Sequence, residues 1–384
     1  MKYYLNLTFA LFSILCFAQQ PASQWSDVDN GIFQKKQLKQ SSLVKNLPFR
    51  SVGPSIMSGR VTSLAVNPDN PVEFYVSYAS GGVWHTINNG TSFTPILDNS
   101  PTQNVGCIAV DWKNNVIWVG TGEVNSSRSS YAGIGLLRSD DNGKTWKNMG
   151  LKDSHHISNI IINPKNTNEI VVGVIGHLYS TNSERGVYRS EDGGKTWNKT
   201  LFVNDQSGII EIVSDPNNFD LMYASSWDKD RKAWNFRGSG SGSGIYKSVD
   251  GGRSWVHVSA AGSGFPTGDG VGRIGIAIYD ENTVYAIHDN QFRREGDKKD
   301  SKEDGLTKDD FKGMSNSQFL ELEDSKLKKF LQANRFPKKY SVDVVKKMMR
   351  DGKAQPADLA KYLEDANTLL FDTPVVGAEV YKST

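Results

Sequence analysis

The chain has 384 residues, and 44 Lys and Arg against 42 Asp and Glu leave a formal net charge of +2. Nine Trp, 14 Tyr and 17 Phe supply ample core material, which excludes wholesale disorder. The near balance of charge lacks the basic excess that a nucleic-acid binder carries, so no nucleic-acid partner is expected.

Residues 1–18 read as a secretory signal. Lys2 gives the positive start, and residues 5–17 form an apolar run too short to cross a bilayer. Cys16-Phe17-Ala18 places small residues at the −3 and −1 positions, so cleavage is expected after Ala18, while bulky Leu15 argues against lipidation of Cys16. The protein is thereby expected to be secreted, periplasmic or on the cell surface. Cys107 is then the one remaining thiol, which rules out an internal disulfide. No other segment has 18 consecutive apolar residues, so no membrane span is expected after cleavage. Residues 19–48 form an N-terminal extension.

From residue 49 the chain repeats itself. Three octapeptides read S-x-D-x-G-x-[ST]-W: Ser139 to Trp146, Ser190 to Trp197 and Ser248 to Trp255, preceded by a degraded copy from Thr86 to Phe93. Their spacing of about fifty residues marks a repeat architecture. Each octapeptide has the chemistry of a hairpin turn. The carboxylate of Asp141, Asp192 or Asp250 accepts backbone N–H groups just ahead of it. Gly143, Gly194 or Gly252 permits positive φ, and Trp146, Trp197 or Trp255 offers a ring for burial. A short strand precedes each turn, at 82–85, 135–138, 186–189 and 244–247. Two more lie upstream in each repeat, at 61–66, 105–110, 157–162 and 209–213, then at 73–78, 116–120, 169–175 and 221–225. Four short antiparallel strands per repeat make one propeller blade. The competing β-sandwich has no fixed repeat of this length.

These octapeptides are Asp-boxes, and the chain from about residue 49 to 289 resembles bacterial exported BNR-repeat glycosyl hydrolase-like proteins with a sortilin N-terminal-type β-propeller. Words such as Val119-Gly120-Thr121-Gly122-Glu123 and Arg185-Gly186-Val187-Tyr188-Arg189-Ser190 carry the likeness. The resemblance implies an all-β Asp-box propeller with four-stranded blades. Activity follows less directly, because Asp-boxes occur in sialidases, xyloglucanases and non-enzymatic receptors alike. The sequence also departs from both enzyme patterns. Phe49-Arg50-Ser51-Val52 keeps half of the sialidase F-R-I-P word, and Ala79-Ser80 stands where a xyloglucanase carries its Asp before Gly81-Gly82.

Blades one to four and the start of a fifth fill residues 49–290. Residues 291–370 read as a charged helical insertion without Trp or Cys, with helices at 318–332, 341–350 and 356–370 after a disordered lead-in at 293–310. A calcium loop at 300–305 is not expected, because Lys302 sits where a ligand is needed. Residues 371–384 resume blade five and end on Val380-Tyr381-Lys382-Ser383-Thr384, the opening of another octapeptide, so the chain reads as a fragment with an incomplete ring.

Strand parity puts the variable loops on the face opposite the Asp-box turns, where binding residues ride on a rigid scaffold. The ligand-binding candidates there are Arg128, His177, Asn182, Arg185, Trp227, Arg231, Trp234 and Arg237. Aromatic faces stack on sugars or peptide side chains, and guanidinium forks clasp carboxylates. Tyr179, Asp230 and Phe236 lie on the same loops, with His155, His156 and Gln103 nearby. Two functions are open. The first is a non-catalytic exported propeller that binds a glycan or peptide. The alternative is a glycoside hydrolase using a carboxylate pair drawn from Glu123, Glu184 and Asp228. The repeated Asp141, Asp192 and Asp250 are expected to be structural. Adjacent His155 and His156 point opposite ways, so neither a metal nor a cofactor is expected. The oligomeric state stays open.

Overall fold

The computed structural model describes residues 22–47, 59–293, 305–334, 336–363 and 375–383. The signal at 1–18, the word at 49–52 and all but the last residue of the loop at 300–305 lie outside them. The chain divides into two compact units, residues 1–290 with 378–384, and residues 291–377.

The first unit is built from four-stranded antiparallel sheets in which successive strands are neighbours. The first sheet holds β1 (Val61–Val66), β2 (Phe74–Tyr78), β3 (Gly82–Thr86) and β4 (Thr94–Pro95). The second holds β5 (Val105–Asp111), β6 (Val116–Thr121), β7 (Leu136–Ser139) and β8 (Lys147–Asn148). The third holds β9 (Ile157–Ile162), β10 (Ile170–Val174), β11 (Gly186–Ser190) and β12 (Asn198–Leu201). In the fourth, β13 (Ser207–Ser214) and β14 (Met222–Asp228) are followed by a small hairpin of β15 (Asp230–Arg231) and β16 (Phe236–Arg237). That sheet ends with β17 (Gly244–Ser248) and β18 (Val256–His257). A further sheet pairs β19 (Val271–Asp280), β20 (Thr283–Arg293) and β21 (Val375–Ser383). The first strands of successive sheets contact one another, β1 to β5, β5 to β9, β9 to β13 and β13 to β19. The sheets are therefore blades set side by side around their first strands, and the fold is an all-β propeller.

Covering both faces of a blade explains why its strands read as near-continuous apolar runs. In β10, Ile170, Val172 and Val174 pack towards the second sheet with Trp118 and Leu136, while Val171 packs towards the fourth with Ile209 and Met222. Both sides of the strand are inside, so period-two alternation of polarity disappears. Side-chain ties cross the same seams. Ser158 Oγ donates to Ile209 O at 2.7 Å, and Ser225 Oγ to Ile274 O at 2.8 Å.

The octapeptide turns repeat one geometry. In the third sheet, Asp192 Oδ1 accepts the N–H groups of Lys195 and Thr196, each at 2.9 Å, and Oδ2 takes the Thr196 hydroxyl at 2.7 Å. Asp141 and Asp250 accept from Thr145 and Ser254 in the same way. Both the fourth and the fifth turn positions have positive φ, from Asn89 and Gly90 (55° and 80°) to Gly251 and Gly252 (70° and 81°). That accounts for the Asn or Gly at the fourth position of every copy. The tryptophans then tie each blade to the one before. Trp146 Nε1 donates to Ile96 O at 3.1 Å, Trp197 Nε1 to Met149 O at 2.8 Å and Trp255 Nε1 to Thr200 Oγ1 at 3.2 Å.

A helix α1 (Trp25–Ser41) precedes the first blade, and its Trp25, Val28 and Ile32 pack on the core of the first two sheets. The sequence gives little sign of it, because no apolar stripe runs its length.

The second unit contains α2 (Asn316–Leu320), α3 (Asp324–Ala333), α4 (Val342–Arg350) and α5 (Pro356–Leu363) around a core of Phe311, Phe319, Phe330, Val345, Met349 and Leu359. The helix expected at 318–332 is two helices. Unbroken, it would hold Phe319 and Phe330 about 16 Å apart along its axis. The break brings both rings onto Phe311, with centroids 5.8 and 4.6 Å away. Ser315 caps α2 with a Gln318 capping box, and Ser341 caps α4. The expected disordered lead-in is corrected in its last part: residues 308–311 form a 3-10 turn that buries Phe311. No helix among the described residues is long and apolar enough to cross a membrane.

Candidate functional site

Antiparallel order places the octapeptide turns beside the turns between first and second strands, as the bonds Gly193 N–H to Asn168 O and Gly251 N–H to Asp220 O (3.0 Å each) show. The opposite face collects the loops at 122–135, 175–185 and 229–243 with the connectors between blades. These loops interlock across several blades. Arg231 Nε donates to Ser126 O at 2.7 Å and Arg128 Nε to Ala233 O at 3.2 Å, joining the second sheet to the fourth. Arg273 reaches Asn125 Oδ1 at 2.7 Å, and Arg60 reaches Glu123 Oε2 at 3.2 Å.

This interlocking corrects several sequence expectations. Glu123 does not project into open space. It is 1% exposed, and its carboxylate takes Arg60, the Ser130 hydroxyl and the Asn125 N–H. Asp228 is also buried, with Oδ1 on Arg237 at 2.9 Å and Oδ2 on the Gly242 N–H. Each of these carboxylates is thus paired with a guanidinium. Arg185 is fully buried. It donates to Ile175 O at 2.6 Å, His177 O at 2.9 Å and Ser180 O at 2.8 Å, stapling its own loop. Trp227 is turned inward too, packing with Ile175 and Ile210 under Val124 and donating to Gly238 O at 2.7 Å. Glu123 and Trp227 are covered by loops of other blades, whereas Asp228 and Arg185 are taken up by hydrogen bonds within their own loops.

What remains open is a hollow of about 470 Å³ where the second and third blades meet, lined by Arg128, Tyr131, His155, His177, Tyr179 and Ser180 among others. Arg128 and Tyr131 are exposed on its wall. On the fourth blade's loop, Trp234 is exposed, Arg231 lies 3.9 Å over the Phe236 ring, and the Arg237 side chain is half-exposed.

At the hollow's floor, the connector before β9 makes a 3-10 turn at residues 152–154, bracketed by Leu151 (φ 52°) and His155 (φ 56°). Two non-glycine residues in this region impose local strain, held in place by the surrounding packing. The turn presents Asp153 and His155 to the loop after β10. The His155 and His177 rings stack with centroids 3.7 Å apart. Both Nε2 atoms face Asp153 Oδ1, at 3.7 and 3.0 Å. His177 Nδ1 meets Ser180 Oγ at 2.8 Å, and Asn182 bridges the two loops, accepting the His177 N–H and donating to Asp153 O. Glu184 lies against Asp153, and its buried Oε2 has no hydrogen-bond partner. Burial first, and the Asp153 charge second, push its carboxyl above the ordinary range. Burial and then the neighbouring His177 lower the His155 imidazole to about 4. Buried His156 falls to about 3. Beneath them Lys229 donates to His177 O at 3.0 Å, and burial followed by Arg185 lowers its ammonium to about 7.

Of the sequence candidates, His177 and Arg128 line one hollow, and Asn182 and Glu184 lie behind it against Asp153. The structure leaves Trp234, Arg231 and Arg237 on the adjoining loop and buries Glu123, Asp228, Arg185 and Trp227. His155 pairs with His177 and Asp153 rather than with His156, and these three offer donor atoms within 4.8 Å of one another. Reading the sequence missed Asp153, Tyr131 and Lys229. Asp153 stands two residues before a noted His and Tyr131 three after Arg128, whereas nothing local marks Lys229.

A family model described as sortilin, neurotensin receptor 3 (Sortilin-Vps10) matches residues 135–337. No curated protein matches the chain. Solved structures similar to it include an ancestral GH74 enzyme, with TM-score 0.46 and 22% identity over 61% of this chain and 28% of that one. The GH74 xyloglucanase from Xanthomonas campestris gives 0.43 and 19% over 61% and 34%, and the GH74 enzyme from Niastella koreensis 0.43 and 18% over 59% and 35%. The chain thus spans about a third of the length of these structures.

Proposed function

The chain belongs to the Sortilin-Vps10 family, and on that premise we propose that it is an exported recognition propeller, binding a glycan or peptide without turnover on the face opposite its Asp-box turns. The hollow between the second and third blades carries this reading. Arg128 supplies a guanidinium for a ligand carboxylate, Tyr131 and Tyr179 supply rings, and the His177–Asn182 loop supplies hydrogen-bonding edges. Trp234 and Arg231 extend the same face. The hydrolase reading has less support, because Glu123 and Asp228 are each buried against an arginine, whereas glycoside hydrolysis needs two carboxyls facing a substrate bond. The expected locations are the periplasm, the cell surface or the medium.

The test is to present the full chain with a glycan panel and a peptide panel, recording both binding and hydrolysis. Binding that is lost in Arg128→Ala and Tyr131→Ala, without turnover, supports the proposal. Glycan turnover that Glu123→Gln abolishes overturns it.

A further inference from the structure

We propose that Asp153, His155 and His177 form a binding site for a divalent transition metal of the zinc class at the floor of the hollow. Asp153 Oδ1 lies 3.0 Å from His177 Nε2 and 3.7 Å from His155 Nε2, and the three donors fit within 4.8 Å of one another. Donors of a tetrahedral ion with bonds of 2.0–2.1 Å lie about 3.3 Å apart. The Asp153 distances bracket that figure, and seating the ion requires the stacked imidazoles to turn so that their in-plane lone pairs converge on it. Two imidazoles and one carboxylate are a donor set that suits zinc and its neighbours rather than magnesium or calcium, which prefer oxygen alone.

The surroundings support such a site in three ways. The donors come from two segments, the connector before β9 and the loop after β10. Asn182 fixes these to each other by bonding Asp153 O at 3.0 Å and the His177 N–H at 3.1 Å. Ser180 Oγ stands 2.8 Å from His177 Nδ1, where it accepts the Nδ1–H and leaves the Nε2 lone pair for the metal. Buried polar atoms without partners also gather around the trio, namely Ser154 Oγ, His156 Nδ1 and Glu184 Oε2, giving second-sphere groups that a hydrated ion would satisfy. His177 Nε2 faces two Asp153 oxygens, at 3.0 and 3.1 Å. Three protein donors leave at least one coordination position of a four-coordinate ion for water or a ligand.

The site stands on these donors whether or not the recognition reading holds, and it is tested on the full chain without ligand. Zn²⁺ titrated into the EDTA-treated chain should bind one equivalent and raise the melting temperature. Co²⁺ should give the visible bands of a nitrogen- and oxygen-ligated site. Asp153→Asn, His155→Gln and His177→Gln should each weaken binding by about tenfold or more. His85→Gln, which removes a different His–carboxylate pair between His85 and Glu73, should leave it unchanged. Melting of each metal-free variant identifies any that fail to fold, and the conservative Asp153→Asn carries the test if a histidine variant does. Absence of Zn²⁺ binding to the wild-type chain, or binding equally strong in Asp153→Asn and His155→Gln, overturns the proposal.

Discussion

A matched pair of glycine substitutions tests how the octapeptide turns hold the blades together. Gly194 and Gly252 occupy the same turn position with φ of 83° and 81°. Alanine at either site meets the left-handed backbone cost of about 1–2 kcal/mol. Their neighbours differ. A Cβ on Gly194 would lie 2.5 Å from Trp118 Cη2, a contact real side chains do not make, whereas one on Gly252 would lie 3.2 Å from Val171 Cγ2. Trp118 cannot retreat, because it is 2% exposed within the core shared by the second and third blades. Forcing atoms into such packing costs roughly 1–3 kcal/mol. Gly194→Ala should therefore lose about 2–5 kcal/mol and Gly252→Ala about 1–2 kcal/mol. Urea midpoints and thermal melting of the full chain read the difference, with Gly194→Ala melting several degrees below Gly252→Ala. Equal losses would refute the idea that the turn presses on the preceding blade, leaving backbone strain as the whole effect.

Other outcomes follow from the titrating groups. The Thr196 N–H, with the Thr196 and Ser190 hydroxyls, holds the Asp192 carboxyl at about 2 against an ordinary 3.8. A depressed carboxylate contributes stability above its unfolded pKa and loses it as pH falls through the folded one. Unfolding midpoints should therefore decline between pH 3.8 and about 2, less steeply in Asp192→Asn. Lys229 behaves oppositely. With its folded pKa lowered from 10.5 to about 7, the unfolded chain binds more protons between those values, so stability should rise with pH across that window. Lys229→Met should flatten that rise, and an unchanged slope would show that another group causes it. Burial pushes the Cys107 thiol up to about 12, so a thiol reagent should label it at the rate of opening, and labelling should accelerate in Gly194→Ala.

The repeat, the strand order and the role of the octapeptide were determined by the sequence itself, because each depends on chemistry within a few residues. Asp192 needs only the N–H groups three and four positions ahead, and the left-handed pair needs only Asn or Gly at the right places. Strands such as β9 and β10 announce themselves by being apolar on both faces. The candidate site was legible only in part. Parity placed the variable loops opposite the octapeptide turns, and His177 lines the hollow there. Whether Glu123 or Trp227 faced a ligand was decided by partners far along the chain: Arg60 for the first, and Val124 for the second. The His155–His177 stack likewise joins two separate segments, the connector before β9 and the loop after β10. Tertiary structure alone settled these, because the burial and pairing of a loop side chain depend on which other loop folds over it, and no local pattern of residues encodes that neighbour.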